Sequence, residues 1–70
     1  MEYEFDSKKI GENIKKARIK KGYTQERFAE RLEVSVKYVS IIERGMVGMK
    51  LQLLAKICNV LEVQLEDIVR

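Results

Sequence analysis

Side chains that could take part in catalysis are scarce in this 70-residue sequence. There is no histidine, Cys58 is the only cysteine, and no glycine-rich phosphate loop or close carboxylate pair lies in an apolar setting. Ser35 and Lys37 lie two positions apart, but Ser35 is better explained as a helix N-cap. Metal, nucleophilic and acid–base sites therefore lack their usual residues. We predict that the chain is not an enzyme and needs no cofactor.

The charged residues are distributed unevenly along the chain. Residues 1–6 carry three acidic residues and no basic one, and residues 8–21 carry seven lysines and arginines against Glu12. The last ten residues carry three acidic residues against Arg70. A basic centre between acidic ends favours a polyanionic partner on one face. A solvated lysine-rich helix face explains the same pattern, so charge alone leaves both interpretations open.

Length and composition predict a single small domain over residues 1–70, with 1–6 loosely ordered. The chain is 46% hydrophobic and has no proline, which is typical of one helical core. A chain this short buries only about 60% of its unfolded surface, which favours self-association. No signal peptide or apolar run of about 18 residues is present, so we expect a cytoplasmic protein with no membrane partner. Cys58 is interpreted as a small buried hydrophobe.

The stretch from Thr24 to Gly45 predicts two short helices joined by a sharp turn near Glu33. In each helix, apolar residues recur at the i, i+3, i+4 spacing of one buried stripe. The short connection and the small side chain of Ala29 favour a close crossing of the two helices. The stripes are Phe28, Ala29 and Leu32 in the first helix and Val36, Val39 and Ile42 in the second, with Val34 just before it.

Capping signals predict the ends of three helices. Each helix begins at a side chain that can accept a hydrogen bond from a backbone N–H, and an apolar pair around it forms a hydrophobic staple. Gly22 ends the first helix at about Lys21, and Gly45 ends the third. The N-caps and their staples are Asp6 with Phe5 and Ile10, Thr24 with Tyr23 and Phe28, and Ser35 with Val34 and Val39.

Two further helices are predicted after a loop at 46–49. The segment from Lys50 to Leu61 is so apolar that we expect it at the centre of the core, and residues 65–69 form a last short helix. The expected buried stripe of the fourth helix is Leu51, Leu54, Ala55, Cys58 and Leu61, widened by Leu53, Ile57 and Val60. Apolar residues near the C-terminus exceed what a monomer needs and predict a homodimer interface of Val60, Leu61, Val63, Leu65, Ile68 and Val69.

One combined pattern resembles a known family. It reads I-x-x-A-R-x-x-K-G-Y-T-Q-E-x-F-A-E-x-L-x-V-S-x-x-Y-V-S-x-I-E-R-G, followed by an apolar helix and V-x-L-x-D-I. This is similar to the small phage-repressor and Cro-type helix-turn-helix regulators, often called the XRE family, over about residues 10 to 69. The resemblance implies an all-α, compact five-helix, lambda-repressor-like domain in which helices 2 and 3 form the helix-turn-helix.

The resemblance also implies roles for individual residues. The third helix would lie in the major groove of DNA with its N-terminal side chains at the base edges. Tyr38 would either stack against the DNA backbone or cover the edge of the core, and Arg18 would form an internal ion pair with Glu43. The implied base contacts are Val36, Lys37 and Ile41, and the implied backbone contacts are Gln25, Ser40, Arg44 and Lys50.

Helical geometry supports part of this assignment independently. If Val39 and Ile42 point inward, residues 36, 37, 40 and 41 fall toward or beside the outer face at 100° per residue. Exposed apolar residues there are unusual without a partner. In a DNA groove, Val36 and Ile41 can pack on thymine methyl groups and Lys37 can donate to guanine O6 or N7.

Two turns depart from the family pattern. Glu33 stands where glycine is common, and we expect it to be held at positive φ at a cost of about 1 kcal/mol or more. Glu62 replaces another frequent glycine before the last helix.

The sequence therefore favours a sequence-specific DNA-binding regulator of the repressor type. It would act as a homodimer on a roughly palindromic operator, with double-stranded DNA as its partner and no small-molecule ligand. The alternative is a protein-interaction module, such as an antitoxin or adaptor, that holds a partner protein with the exposed apolar residues of the third helix. Steep salt dependence of duplex binding would favour the regulator.

Overall fold

The computed structural model describes residues 6–46 and 48–69, which form five α-helices and no strand. They are α1 (Ser7–Lys21), α2 (Gln25–Leu32), α3 (Val36–Glu43), α4 (Leu51–Leu61) and α5 (Leu65–Val69). The predicted five-helix, all-α architecture is confirmed. The expected loose order of residues 1–5, the staple residue Phe5 and loop residue 47 lie outside the described residues. None of the five helices is long and apolar enough to cross a membrane.

The ends of α1 follow from local sequence. Asp6 Oδ1 accepts hydrogen bonds from the backbone N–H groups of Lys8 and Lys9 at 3.1 and 3.2 Å. At the other end Gly22 adopts φ +88°, a left-handed conformation that favours glycine. Three basic residues in the last turn stabilise the negative end of the helix dipole. Both predicted boundaries of α1 are therefore confirmed.

The pair α2 and α3 is capped in the same way at both starts. Thr24 Oγ1 and Ser35 Oγ each accept a 3.0 Å hydrogen bond from the backbone N–H three residues further on. Before α2, the rings of Tyr23 and Phe28 stack with centroids 6.5 Å apart, which fixes the direction from which the chain enters the helix. Ala29 is buried between the helices and permits their close crossing.

Two glutamates occupy left-handed turns. Glu33 between α2 and α3 has φ 62°, and Glu62 between α4 and α5 has φ 56°. A side chain in this region costs about 1–2 kcal/mol relative to glycine. Each carboxylate lies near a lysine of another helix, with Glu33 3.6 Å from Lys56 and Glu62 3.1 Å from Lys21. These exposed pairs tie neighbouring helices together but add little stability.

The hydrophobic core takes side chains from all five helices, and α1 lies at its centre. This helix packs against α3, α4 and α5. Asn13 Nδ2 on its surface donates to the carbonyl of Ile68 at 2.9 Å, which joins α1 to the end of α5. The core residues are Ile10, Ile14, Phe28, Ala29, Leu32, Val39, Ile42, Ile57, Leu61 and Ile68.

The prediction for α4 is partly wrong. Its fully buried residues are Ile57 and Leu61, whereas Leu51 is 70% exposed and Ala55 is also exposed. Gln52, Lys56 and Asn59 form one exposed polar face of α4, and Leu51 and Ala55 lie beside it, whereas Ile57 and Leu61 lie on the opposite side. Packing against α1, α2 and α5 selects a stripe centred on Ile57 and leaves the first turn open to solvent.

Two residues assigned to the dimer interface belong to the core instead. Leu61 and Ile68 are buried within the single chain, because the turn between α4 and α5 folds α5 back against α1. These two side chains are therefore buried inside the monomer and are not available to contact a second copy. The other four residues remain partly accessible, namely Val60, Val63, Leu65 and Val69.

Candidate nucleic-acid interface

The outer face of α3 combines apolar and cationic side chains. The two inward residues of this helix are fully buried, which turns Val36 and Lys37 outward. Val36 is 39% exposed, so its assignment to the buried stripe of this helix is wrong, and Lys37 is also exposed. Ser40 and Ile41 are half-buried one turn later, and residues four apart lie on the same side of a helix. The structure therefore brings these four predicted residues to one face.

Two exposed cations follow this face in the sequence, Arg44 directly after α3 and Lys50 before α4. Arg44 Nε donates to the carbonyl of Ser40 at 3.3 Å. Lys50 is the N-cap residue of α4, but its side chain makes no capping hydrogen bond. Among the described residues neither cation forms an ion pair, and nor does Lys37, so their charge is available to an anion. The cations that are paired with exposed carboxylates lie elsewhere: Lys21, Arg27 and Lys56.

Gln25 lies at the start of α2, where unpaired backbone N–H groups favour an anion. Its side chain is half-buried, and its Nε2 donates to Glu43 Oε1 at 3.1 Å. A carboxamide nitrogen carries two N–H donors. The second one meets no partner in the described part of the chain and remains available. The bond to Glu43 was not predicted from the sequence.

The ion pair expected between Arg18 and Glu43 is present and buried. Arg18 Nε lies 2.6 Å from Glu43 Oε2, and Arg18 Nη2 lies 3.3 Å from Oε1. The two residues are 8% and 6% exposed. Arg18 Nη1 also donates to the carbonyl of Tyr23 at 2.7 Å. One guanidinium therefore joins α1, the end of α3 and the segment that leads into α2.

Tyr38 stands between its two predicted roles. It is half-buried and packs against the core cluster, which is the structural role. Only the part of its side chain that remains exposed is available to a DNA backbone.

Cys58 is half-buried in α4 and is not poised as a nucleophile. Burial raises the pKa of its thiol, and the nearby carboxylate of Asp67 raises it further. A raised pKa lowers the fraction of reactive thiolate at neutral pH. No group of three or more metal-ligating side chains occurs in the described residues.

Gly11 is a site-supporting residue that sequence reasoning missed. A methyl group at this residue would lie 2.5 Å from the carbonyl oxygen of Ile42 and 2.7 Å from that of Glu43. The backbone of α1 therefore lies directly against the end of α3. Two signals could have identified it: a glycine inside a helix often marks a close approach, and Gly11 shares a helical face with Ile14 and Arg18.

Two short helices joined by a sharp turn, the second with an outward apolar and cationic face, define a helix-turn-helix protein. The family model HTH_3, described as helix-turn-helix, matches residues 14–68. The chain belongs to this family, and its predicted resemblance to the XRE-type regulators is confirmed.

Solved structures give the same fold. The chain resembles the clp gene regulator ClgR from Corynebacterium glutamicum with a TM-score of 0.88 and 29% identity, over 97% of this chain and 87% of that one. A second ClgR structure gives 0.83 and 32% identity over 89% and 66%. The restriction-modification controller protein C.AhdI from Aeromonas hydrophila gives 0.83 and 27% identity over 90% and 96%. No curated protein matches the sequence significantly. Family and neighbours support a DNA-binding transcriptional regulator rather than an enzyme.

Proposed function

We propose that the chain is a sequence-specific transcriptional regulator that binds a roughly palindromic operator as a homodimer. The observation that carries this proposal is the outer face of α3, where exposed Val36 and Lys37 lie side by side and Lys37 forms no ion pair in the described chain. Side chains of these two kinds find partners in a major groove, which offers thymine methyl groups and guanine acceptors. Family membership supports the same class of function.

In this proposal the N-terminal half of α3 reads bases. Val36 and Ile41 contact thymine methyl groups, and Lys37 donates to guanine. The DNA backbone is held on both sides of the groove, since phosphate contacts set the register of the protein on the duplex. The backbone contacts are Gln25 with the first N–H groups of α2, Ser40, the exposed edge of Tyr38, Arg44 and Lys50.

Lys37→Ala is expected to lower the discrimination between operator and random duplex. A side chain that reads a base contributes about 1–3 kcal/mol to discrimination, which corresponds to roughly tenfold or more. Lys50→Ala should weaken binding to both duplexes equally and reduce the slope of log affinity against log salt by about 0.9, because one phosphate contact is lost. Titration of both variants against a duplex selected from a random pool, and against random DNA, measures these effects.

Lys16→Ala is the matched control for this experiment. It removes the same charge from the face of α1 opposite Ile14, so we expect little change in affinity or selectivity. Equal losses on both duplexes for Lys37→Ala would contradict its role in base reading. Absent or salt-insensitive duplex binding by the wild-type protein would overturn the proposed function and favour a protein-interaction module.

The homodimer is supported by an apolar groove on the side of the fold formed by α1, α4 and α5. The groove has a volume of about 410 Å³, and it includes Leu51 and Leu65, which are 70% and 40% exposed. Basic Lys8 lies in the first turn of α1, and acidic Glu66 and Asp67 lie along α5. A groove with both signs of charge around it is suited to two-fold pairing, so the proposed occupant is a second copy of this chain. The groove is lined by Ser7, Ile10, Gly48, Met49, Leu51, Leu54, Leu65 and Val69.

Leu51→Glu is expected to weaken the dimer by on the order of 100-fold. Burial of one leucine contributes about 1.5–3 kcal/mol, and a two-fold interface contains the residue twice. Sedimentation equilibrium of the free protein measures the dissociation constant. The control is Ile19→Glu, which introduces the same charge on the outer face of α1. Ile19 has the same size as leucine and is 58% exposed. Equal effects of the two substitutions, or a wild-type monomer at all concentrations, would contradict this interface.

A further inference from the structure

We propose that Arg18 and Glu43 are positioning residues that hold the side chain of Gln25 in the orientation that binds a DNA phosphate. The inference rests on the proposed function and deepens it, because it assigns to the buried ion pair a part in DNA binding as well as in folding. Three hydrogen bonds that meet at one carboxylate carry the argument.

The carboxylate of Glu43 collects donors from two different elements. Its Oε2 accepts from Arg18 Nε at 2.6 Å, while its Oε1 accepts from Arg18 Nη2 at 3.3 Å and from Gln25 Nε2 at 3.1 Å. Glu43 is the last residue of α3 and Gln25 is the first residue of α2. The end of α3, the proposed base-reading helix, is therefore hydrogen-bonded directly to Gln25, the proposed phosphate contact.

The bond also determines which end of the carboxamide faces outward. A carboxylate accepts hydrogen bonds and repels another acceptor, so the NH2 group of Gln25 must face Glu43 and its carbonyl oxygen must not. The NH2 group then keeps a second N–H for another acceptor, and Gln25 itself is the first residue of α2. Without Glu43 the amide could rotate and present its oxygen to a phosphate, which would repel it.

Arg18 reduces the repulsion between the carboxylate of Glu43 and a bound phosphate. It neutralises the charge of Glu43 through two hydrogen bonds, and only the neutral amide of Gln25 stands between the pair and the anion. The same guanidinium donates to the carbonyl of Tyr23 at 2.7 Å, just before the cap of α2. Both the side chain and the incoming backbone at the start of α2 are thus held by one buried pair.

The test compares four proteins for binding to the selected duplex and to random DNA. They are the wild type, Gln25→Ala, the double variant Arg18→Met with Glu43→Leu, and the triple variant that combines them. Replacing a buried ion pair by apolar residues of similar volume often preserves stability, so the double variant separates positioning from folding. Circular dichroism and urea denaturation establish that each variant is folded.

Gln25→Ala should weaken binding to both duplexes by roughly tenfold, because a hydrogen bond to a charged group is lost. The salt slope should stay the same, since no charge is removed. The double variant should show the same loss, and the triple variant should show no further loss. A folded double variant that binds DNA as tightly as the wild type would overturn the proposal, as would losses that add in the triple variant.

A measurement on the wild-type protein covers the case in which the double variant does not fold. In nuclear magnetic resonance spectra, the Gln25 side-chain NH2 should show Overhauser contacts to the Glu43 methylene groups both in the free protein and in the DNA complex. A freely rotating Gln25 amide in either state would overturn the inference. If the wild type binds no duplex, the proposed function fails, while the spectrum of the free protein still tests the bond to Glu43.

Discussion

Gly11→Ala is expected to lower the free energy of unfolding by about 3 kcal/mol or more. The added methyl group would lie 2.5 Å from the carbonyl oxygen of Ile42 and 2.7 Å from that of Glu43. Both are backbone atoms at the end of a helix, so they cannot rotate away as a flexible side chain would, and α1 must shift from α3. A domain of this size has a total stability on the order of 4–10 kcal/mol, so a large share of that stability would be lost.

The sign of this effect separates packing from helix propensity. In an open helix, alanine stabilises by about 1 kcal/mol relative to glycine. Urea denaturation followed by circular dichroism measures the difference directly. Gly48→Ala is the control, because no atom lies within 4 Å of its added methyl group. We expect that variant to stay within about 0.5 kcal/mol of the wild type. A Gly11→Ala variant as stable as the wild type would contradict the close approach of α1 and α3.

Helix ends were predictable because their causes are local. Asp6, Thr24 and Ser35 accept hydrogen bonds from N–H groups two or three residues away, so a short stretch of sequence contains the whole interaction. The left-handed turn at Glu33 was expected from the family resemblance instead, because Glu33 stands where glycine is common in the family. Such features depend little on how the helices later pack.

The outward face of α4 is indicated by its polar residues, because Gln52, Lys56 and Asn59 recur at helical spacing and are exposed. The apolar side is too broad for spacing to separate buried Ile57 from half-buried Leu54, and packing against α1, α2 and α5 makes that difference. The same cause explains the core positions of Leu61 and Ile68, which depend on the direction of α5 after the turn. Hydrophobic composition predicts that a segment packs, but not which of its sides does so.

The candidate DNA-binding face also combines features that local spacing predicts with features that depend on helix packing. The outward direction of Lys37 follows from the inward residues of the same helix, so spacing alone predicts it. Spacing allowed Val36 both in the buried stripe and on the outer face, and its 39% exposure agrees with the outer face. The bond between Gln25 and Glu43 spans 18 residues and joins two helices, and no local pattern in the sequence indicates it. It depends on the crossing of α2 and α3.

Arg18→Met is expected to lower the free energy of unfolding by roughly 3–5 kcal/mol, because it leaves the carboxylate of Glu43 buried without its cation. The two side chains are only 9% and 3% exposed, so water cannot replace the lost guanidinium. Adding Glu43→Leu should restore most of the loss, since the unpaired charge is then removed as well. Urea denaturation of the single and double variants measures both steps.

The exposed pair of Arg27 with Glu30 provides the control, with side chains 53% and 71% exposed. Arg27→Met should cost less than about 1 kcal/mol, because water solvates the carboxylate that remains. A loss for Arg18→Met no larger than this would contradict the burial of the pair. If the double variant stays as unstable as the single one, the hydrogen bonds to Tyr23 and Gln25 must contribute more to folding than the charge pairing does. Recovery of stability without recovery of DNA binding would instead separate what the pair does for the fold from what it does at the start of α2.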